Sequence, residues 1–168
     1  MKKLFVVMLV LCMATVAFAQ SMSDWAESFN QKGHLNAYVS AGLWVGGIDV
    51  TGAVEYIAGE FDIAGIPFDW GVEARALVGF DVFYGFNDMY WAAGPLATLH
   101  MGLKWGLDVY TAVGLGLYGG SYWLNPVNFG FASFGGVSYK LSKNLFLLLE
   151  GGYIGNNGVS GLGVVIKL

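Results

Sequence analysis

Few side chains in this sequence could carry out chemistry. His34 and His100 are its two histidines, and they lie far apart in the chain. No set of histidine, cysteine and carboxylate residues has the spacing of metal ligands, so the sequence predicts no metal site and no cofactor. Thr98, Ser138 or Ser40 could lie near His100 and form a hydroxyl–histidine–acid set, although no serine follows a recognisable motif. A histidine held in a polar network is the favoured interpretation.

The charged residues form a second candidate group. The members predicted to meet in one buried network are Glu55, Glu73, Arg75, His100, Lys104, Lys140 and Glu150. One interpretation is that these groups are paired and fill an interior, because an unpaired buried charge costs several kcal/mol. The other is a gate whose pairs exchange partners and open a thin water path. We favour the first, and either one requires elements that bring the charges together.

The composition restricts what those elements can be. The 168 residues are 56% hydrophobic and only 12% charged, with 26 glycines. A soluble domain carries about 25% charged residues, so this chain must hide much apolar surface from water. Beyond the first residues, no uncharged run of about 18 apolar residues could cross a membrane as a helix.

The N-terminus has the pattern of a secretory signal. Two lysines, a long apolar run and Ala17-Phe18-Ala19 predict a signal peptide over residues 1–19. A stop-transfer helix and a lipoprotein signal at Cys12 are less favoured alternatives. Cleavage would remove the single cysteine and two lysines, which changes the net charge from −4 to −6. That charge argues against nucleic acid as a partner.

Residues 20–34 are the most polar stretch and form a predicted N-terminal lead-in. Asp24 and Glu27 have capping-box spacing and Gly33 could end a short helix, although a loose segment fits equally well. A single β-barrel domain is predicted over residues 35–168.

Eight segments of alternating pattern follow the lead-in. The predicted strands are 35–45, 48–59, 70–83, 89–103, 107–120, 129–141, 145–154 and 158–168. Residues 60–69 are predicted to be a long linker with Pro67 as a breaker, and Pro95 predicts a bulge or distortion in the fourth strand. With no long helix between them, the strands form an antiparallel meander. Eight such strands can close into an all-β, up-and-down barrel and lose their edges.

Sorting the side chains by parity separates two faces. Charges share a face with glycine in most strands, whereas large aliphatic residues occupy the other face. In residues 107–120, for example, Val109, Val113 and Leu115 alternate with Tyr110 and Gly114. A water-exposed face would not need so many glycines. The aliphatic face is therefore predicted to contact lipid, and the glycine-rich face to line a narrow lumen.

Aromatic residues concentrate near the strand ends and predict two membrane-interface girdles. Those at one end are Trp44, Tyr84, Tyr90, Trp91, Tyr118, Tyr122, Trp123 and Tyr153. Those towards the other end are Trp70, Trp105 and Tyr139. The alternative is that they are core aromatics of a soluble sandwich.

On these features the chain from residue 20 resembles the small eight-stranded outer-membrane barrels of the OmpX, OmpA transmembrane-domain and OmpW type. The end, GLGVVIKL, resembles the C-terminal signal read by the barrel-insertion machinery, with Gly163, Ile166 and Leu168 at its positions; the usual last residue is Phe. The resemblance implies periplasmic termini, a monomer, outer-membrane lipid and the insertion machinery as partners, and location in the bacterial outer membrane.

We expect from this a non-enzymatic, structural or surface component of the cell envelope. A narrow pore or a lateral route for small hydrophobic molecules is the second hypothesis. A lipid-modifying enzyme is the third, since some small barrels are such enzymes, and a soluble periplasmic carrier is the fourth. The apolar loop 121–128 fits a membrane-interface anchor, and less well the mouth of a hydrophobic-ligand site.

Overall fold

The structure of the chain is a computed structural model, and it describes residues 24–44, 47–82, 88–121, 127–155 and 157–168. The predicted signal peptide 1–19, Tyr84, Tyr122 and Trp123 lie outside these ranges, as does the side chain of Trp44. The strands are β1 (Leu35–Trp44), β2 (Gly47–Ile63), β3 (Ile66–Asp81), β4 (Met89–Leu103), β5 (Leu107–Gly120), β6 (Asn128–Lys140), β7 (Leu145–Ile154) and β8 (Asn157–Lys167). No helix in the described ranges is long and apolar enough to cross a membrane.

The eight strands form one closed antiparallel barrel in which each strand pairs with its neighbours in sequence. Closure is made by β1 and β8, where Ala37 lies opposite Ile166 and Trp44 opposite Val159. This confirms the predicted fold class. Because the first and last strands pair with each other, their backbone groups are hydrogen-bonded and no sheet edge is left along the barrel wall.

Burial alternates along the strands as parity predicts. Thr51, Ala53 and Glu55 of β2 are buried, whereas Val50 and Val54 between them are exposed. The same inversion holds around the barrel, because the charged residues of its middle point inward and most large aliphatic side chains point outward. Exceptions include the inward Leu77, Leu96 and Leu148 and the outward Thr111 and Ser160. The core of the molecule is therefore the barrel interior, and its outer wall is apolar.

The inward glycines lie where strands and core side chains leave no room for a Cβ. A Cβ on Gly71 would lie 2.9 Å from both Glu55 Oε1 and Thr98 Oγ1, and one on Gly136 would lie 2.7 Å from Tyr110 Cε1. Their absent side chains make space for the polar groups and the tyrosine that fill this narrow interior.

The predicted linker 60–69 is wrong, because these residues extend β2 and β3 into a long hairpin. Its turn is Ala64-Gly65, and both residues have positive φ, 52° and 80°, as a two-residue type I′ turn requires. Pro67 is tolerated because β3 begins pairing with β4 only at Asp69, so its missing N–H faces an unpaired edge. The register shifts between Ile57 and Gly59, where a bulge separates hairpin from barrel wall.

Pro95 interrupts one ladder of the barrel wall. Between β4 and β5 the pairs run from Ala93–Leu117 directly to Leu96–Gly114, with the same register on both sides. Proline has no N–H to donate, which accounts for the gap. The distortion expected at Pro95 is a local loss of pairing without a shifted register.

Residues 24–34, here called the strap, cross one end of the barrel. Glu27 N donates to Gly102 O on β4 (2.9 Å), and at the other side Gly33 N donates to Ile57 O on β2 (2.8 Å). The strap contains two turns, at residues 24–25 and 32–33, and a single β-bridge between Ala26 and Leu103, and no helix. It lies at the terminal end of the barrel, where β1 begins and β8 ends; the opposite end is called the loop end.

Candidate functional site

Five of the predicted charged residues meet in the lumen, where all of them are buried: Glu55, Glu73, Arg75, His100 and Glu150. They come from strands β2, β3, β4 and β7, whose inward positions face one another across the barrel. Closing the sheet brings together charges that are as much as 95 residues apart in sequence, Glu55 to Glu150. The lumen is therefore the first candidate site.

Arg75 is the centre of one half of this network. Its Nε donates to Glu73 Oε1 (2.6 Å) and its Nη1 to Glu150 Oε2 (2.7 Å) on the far wall. Glu150 also accepts hydrogen bonds from Tyr110 OH and from Ser40 Oγ (2.6 Å). The guanidinium carbon lies 4.2 Å from the centre of the Phe134 ring. A planar guanidinium held by two carboxylates and a ring face is a fixed cross-link between walls.

His100 is the centre of the other half. Its Nε2 lies 2.8 Å from Glu55 Oε1, and its Nδ1 lies 3.3 Å from Asp108 Oδ2. Glu55 also accepts hydrogen bonds from Asn36 Nδ2 (2.9 Å) and Thr98 Oγ1. Both ring nitrogens are thus within hydrogen-bond distance of carboxylates, which orients the ring and occupies both of its polar atoms.

Two tyrosines join the halves. Tyr110 stacks on the His100 ring with centroids 5.5 Å apart, while its hydroxyl reaches Glu150 in the Arg75 half. Tyr38 donates to Glu55 Oε2 at 2.5 Å and lies 6.0 Å from Tyr110 by ring centroids. The middle of the lumen is consequently occupied by a continuous polar and aromatic network rather than by an open channel.

The strap extends this network to the terminal end. Lys167 Nζ donates to Asn30 Oδ1 (2.8 Å) and to Phe29 O (3.2 Å), and lies 3.9 Å from Asp108 Oδ2. Asn30 is buried and donates from Nδ2 to Asp69 Oδ2 (3.3 Å). The Phe29 ring packs edge-on against Phe146, with centroids 6.0 Å apart. Phe29 and Asn30 therefore plug this end of the lumen.

Two lysines assigned to the network lie outside it. Lys104 is exposed in the β4–β5 turn, because β4 ends at Leu103 and the inward parity does not continue past it. Lys140 is the last residue of β6 and is exposed, with its Nζ 5.3 Å from the Phe29 ring centre. The lysine that does enter the network is Lys167.

Two aromatic residues assigned to the girdles point inward instead. Tyr90 and Tyr118 are buried, and Tyr90 OH donates to Ile154 O (3.2 Å) inside the loop end. Both tyrosines occupy strand positions whose side chains point inward, although they lie near strand ends. Trp91 has intermediate exposure at the loop end. The remaining girdle residues with described side chains are exposed. Tyr153 lies on the outer wall at the loop end, Trp70 and Tyr139 lie on it at the terminal end, and Trp105 lies in the β4–β5 turn.

The residues of the predicted insertion signal lie on β8 and just beyond it. Gly163 lies opposite Ser40 of β1, and a Cβ there would meet Ser40 Cβ at 2.7 Å. Ile166 and Leu168 are exposed on the outside. Recognition of this segment by the insertion machinery stays a prediction.

The predicted network lacks several residues that the structure places in it. For two of these residues, alternation along the strand already indicated an inward side chain. Asp108 shares its face with Tyr110, and Lys167 shares its face with Gly163, so both could have been assigned to the lumen. Asn30 had no such signal, because the strap lacks an alternating pattern. Its burial arises only when the strap crosses the barrel end.

Two of the three candidate hydroxyls near His100, those of Thr98 and Ser40, are not paired with its ring, and the third, Ser138, is buried on β6. Thr98 donates to Glu55 and Ser40 donates to Glu150, so these candidate hydroxyls hydrogen-bond carboxylates. A nucleophile requires its hydroxyl against the histidine that takes its proton. Within the described ranges, no cluster of three or more histidine, cysteine or acidic residues could hold a metal ion.

Neither a family model nor a curated protein matches this chain. Solved structures do. The N-terminal β-barrel domain of Pseudomonas aeruginosa OprF is 16% identical over 83% of this chain and all of its own, with a TM-score of 0.60. Neisserial surface protein A is 16% identical over 80% of this chain and 96% of its own, with a TM-score of 0.56. The outer membrane enzyme PagL is 10% identical over 79% of this chain and 98% of its own, with a TM-score of 0.52. The chain thus has the fold of the eight-stranded outer-membrane barrels.

Proposed function

We propose that this protein is an integral barrel of the bacterial outer membrane with a structural, non-enzymatic role in the envelope. The observation that carries the proposal is the inversion of its faces. Ion pairs and buried carboxylates occupy the interior, and the outer wall presents exposed aliphatic side chains such as Val113, Leu115 and Leu162. In water this arrangement would expose most of its apolar surface, whereas a bilayer covers it.

The filled lumen argues for a structural barrel rather than an axial pore. Arg75 ties β3 to β7 across the middle, Tyr90 and Ile154 pack together near the loop end, and Phe29 plugs the terminal end. Opening a water path would require breaking buried ion pairs, which costs several kcal/mol for each pair. Export by the signal peptide and termini in the periplasm complete the proposal.

Planar-bilayer recordings test this role. The full chain, extracted from membranes in detergent and reconstituted, is expected to insert without producing discrete conductance steps. A matched preparation of a known porin under the same conditions is the positive control. Reproducible steps from the purified protein would contradict the structural role and favour a pore.

One observation favours the second candidate, a lateral route for small hydrophobic molecules. The outer wall across β1–β4 carries an apolar depression of about 670 Å³, lined by small residues that include Gly52, Ala74, Ala76 and Ala93. It reaches Pro95, beside which the β4–β5 ladder is interrupted. Lipid acyl chains filling a shallow groove explain the depression equally well, so this candidate ranks second.

A substitution that fills the groove separates these two uses. Ala76 is exposed on the outer wall, so Ala76→Phe places a large ring in the depression without touching the lumen. A lateral route predicts lower uptake of a fluorescent hydrophobic probe by cells that produce the variant. Equal uptake at equal amounts of folded barrel removes the lateral route and leaves the structural role.

A further inference from the structure

The lysines of this acidic protein are distributed unevenly. All five lysines in the described ranges lie at the terminal end: Lys32, Lys104, Lys140, Lys143 and Lys167. The loop end has Asp49, Asp81 and Asp88 and none of the described lysines. The terminal end also carries acidic residues, Asp24, Glu27, Glu60, Asp62, Asp69 and Asp108. Positive charge therefore matters here where lysines gather in one place, and not over the whole end.

Three of these lysines line one pocket. It has a volume of about 430 Å³ and lies between the strap, the β6–β7 turn and the end of β8, with Lys140, Lys143 and Lys167 in its lining. Glu27 is the acidic side chain among the lining residues. The Phe29 ring lies under the ammonium groups of Lys140 and Lys167 at 5.3 and 5.8 Å.

Among the described residues, two of the three ammonium groups have no anionic partner within ion-pair distance. Lys167 is held by Asn30 and by the Phe29 carbonyl, with Asp108 at 3.9 Å. Lys140 and Lys143, by contrast, form none of the ion pairs found among the described residues. Unpaired cations that line a pocket are available to an anion from outside, and lysine is a point-charge binder of phosphate.

The outer wall next to the pocket is apolar. Leu145 of β7 lies opposite Ile166 of β8, and both side chains are exposed outward. Leu141, in the turn beside the pocket, is exposed as well. A molecule with an anionic head and apolar chains would place its head among the lysines and its chains along this wall. A free phosphate ion would use only the first part.

We propose that this pocket binds the phosphate group of a phospholipid, whose acyl chains lie against Leu145 and Ile166. The proposal rests on the proposed function in one respect, because the barrel must lie in a bilayer for its wall to meet acyl chains. The bound lipid would anchor the strap end of the barrel at the membrane surface. Lys140 and Lys143 bind the phosphate, while Lys167 holds the strap in place through Asn30.

Paired variants test the site. In K140Q/K143Q the pocket loses both unpaired cations, whereas K32Q/K104Q removes the same charge from exposed lysines outside the pocket lining. The full chain, extracted in detergent, is titrated calorimetrically with dihexanoyl phosphatidylglycerol and, separately, with inorganic phosphate. A lysine near a lipid surface contributes on the order of 1 kcal/mol, so binding by K140Q/K143Q should be about thirtyfold weaker.

The control pair should bind the lipid within about twofold of the unsubstituted protein, since exposed charges away from a ligand are largely screened. Inorganic phosphate should bind more weakly than the lipid and lose affinity in the same pair. Equal affinity of phosphate and lipid would show that the acyl chains add nothing through Leu145 and Ile166. It would overturn the lipid proposal and identify a site for free phosphate. No lipid binding, or equal losses in both variant pairs, would overturn the pocket itself.

The experiment distinguishes a barrel that does not bind lipid from a chain that does not form a membrane barrel. Each sample is first run on an SDS gel unheated and boiled, since a folded membrane barrel changes mobility only on boiling. A barrel that shifts but binds no lipid refutes the pocket and leaves the proposed function standing. A chain that is soluble without detergent and shows no shift refutes the membrane barrel, and the lipid site with it.

Discussion

Arg75 on β3 and Glu150 on β7 form an ion pair across the lumen, with Nη1 2.7 Å from Oε2 and both side chains buried. The two strands are not neighbours in the barrel, so this pair links opposite parts of the wall. Glu73, two residues from Arg75 on the same inward face, binds the same guanidinium through Nε. One cation thus holds two carboxylates that would otherwise repel each other in a space with little water.

Replacing Arg75 should therefore destabilise the barrel. Arg75→Met keeps much of the side-chain volume but leaves Glu73 and Glu150 buried without their cation, a loss of about 3–5 kcal/mol. Urea unfolding in detergent, followed by gel mobility, measures the change. The triple variant E73Q/R75M/E150Q removes the uncompensated charges and should recover most of the loss. An unchanged midpoint for Arg75→Met would show that the pair does not stabilise the fold.

Crowding around the inward glycines should make β3 and its neighbour β2 respond differently to an added methyl group. Gly71→Ala places a Cβ 2.9 Å from Glu55 Oε1 and Thr98 Oγ1, and such overpacking costs about 1–3 kcal/mol. Gly52→Ala faces outward, with Tyr38 O 4.0 Å away as its nearest neighbour. It should be neutral or slightly stabilising, since alanine is preferred over glycine in strands by about 0.5–1 kcal/mol. The same unfolding assay compares them, and equal stability of the two variants would refute the crowding.

The strap should loosen when its buried asparagine is removed. Asn30→Ala takes away the acceptor for Lys167 and a donor to Asp69. An unsatisfied buried group costs about 1–3 kcal/mol, so the strap should detach more often. Trypsin cleavage after Lys32 reports detachment and should become faster. Asn144→Ala removes a part-buried hydrogen bond from the β6–β7 turn to Lys167 O and leaves the strap contacts of Asn30 in place. It is the control and should cleave at the original rate.

An arginine placed on the outer wall should destabilise the barrel more, the closer it lies to the middle of the bilayer. Val113 lies in the middle of β5, so Val113→Arg should lower barrel stability by about 2–4 kcal/mol in lipid, as arginine does near a bilayer midplane. Leu141 lies in a turn at the terminal end, and Leu141→Arg should cost about 0–1 kcal/mol. Folding yield into lipid vesicles measures both. If Val113→Arg folds as well as Leu141→Arg, the outer wall does not contact the bilayer core.

Strand parity made the fold predictable, because a period of two assigns every residue of a strand to one face once a single residue is assigned. Glu55, Glu73 and Arg75 were placed on the inward face in this way. The rule fails where a strand stops, which is why Lys104 lies in a turn rather than in the lumen. For Tyr90, position near a strand end was given more weight than parity, and the structure favours parity.

Other features depend on contacts that leave no periodic signal. The sequence predicts a linker over residues 60–69 because proline normally interrupts a central strand, yet at Pro67 the edge of β3 is unpaired. Asn30 is buried only because the strap folds under the barrel and meets Lys167, some 137 residues away. The strap residues that make these long-range contacts have no alternating pattern, so the closed barrel predicted from the strands does not by itself place them.

The central claim is that the chain forms a closed membrane barrel, and gel mobility tests it most directly. The full chain is produced in a Gram-negative host, extracted from the membrane fraction in detergent, and run in SDS with and without boiling. We predict that the unheated protein migrates as a compact species and shifts to its unfolded position only after boiling. A protein recovered in the soluble fraction, with the same mobility in both lanes, would contradict the account and make the aliphatic face a core rather than a lipid surface.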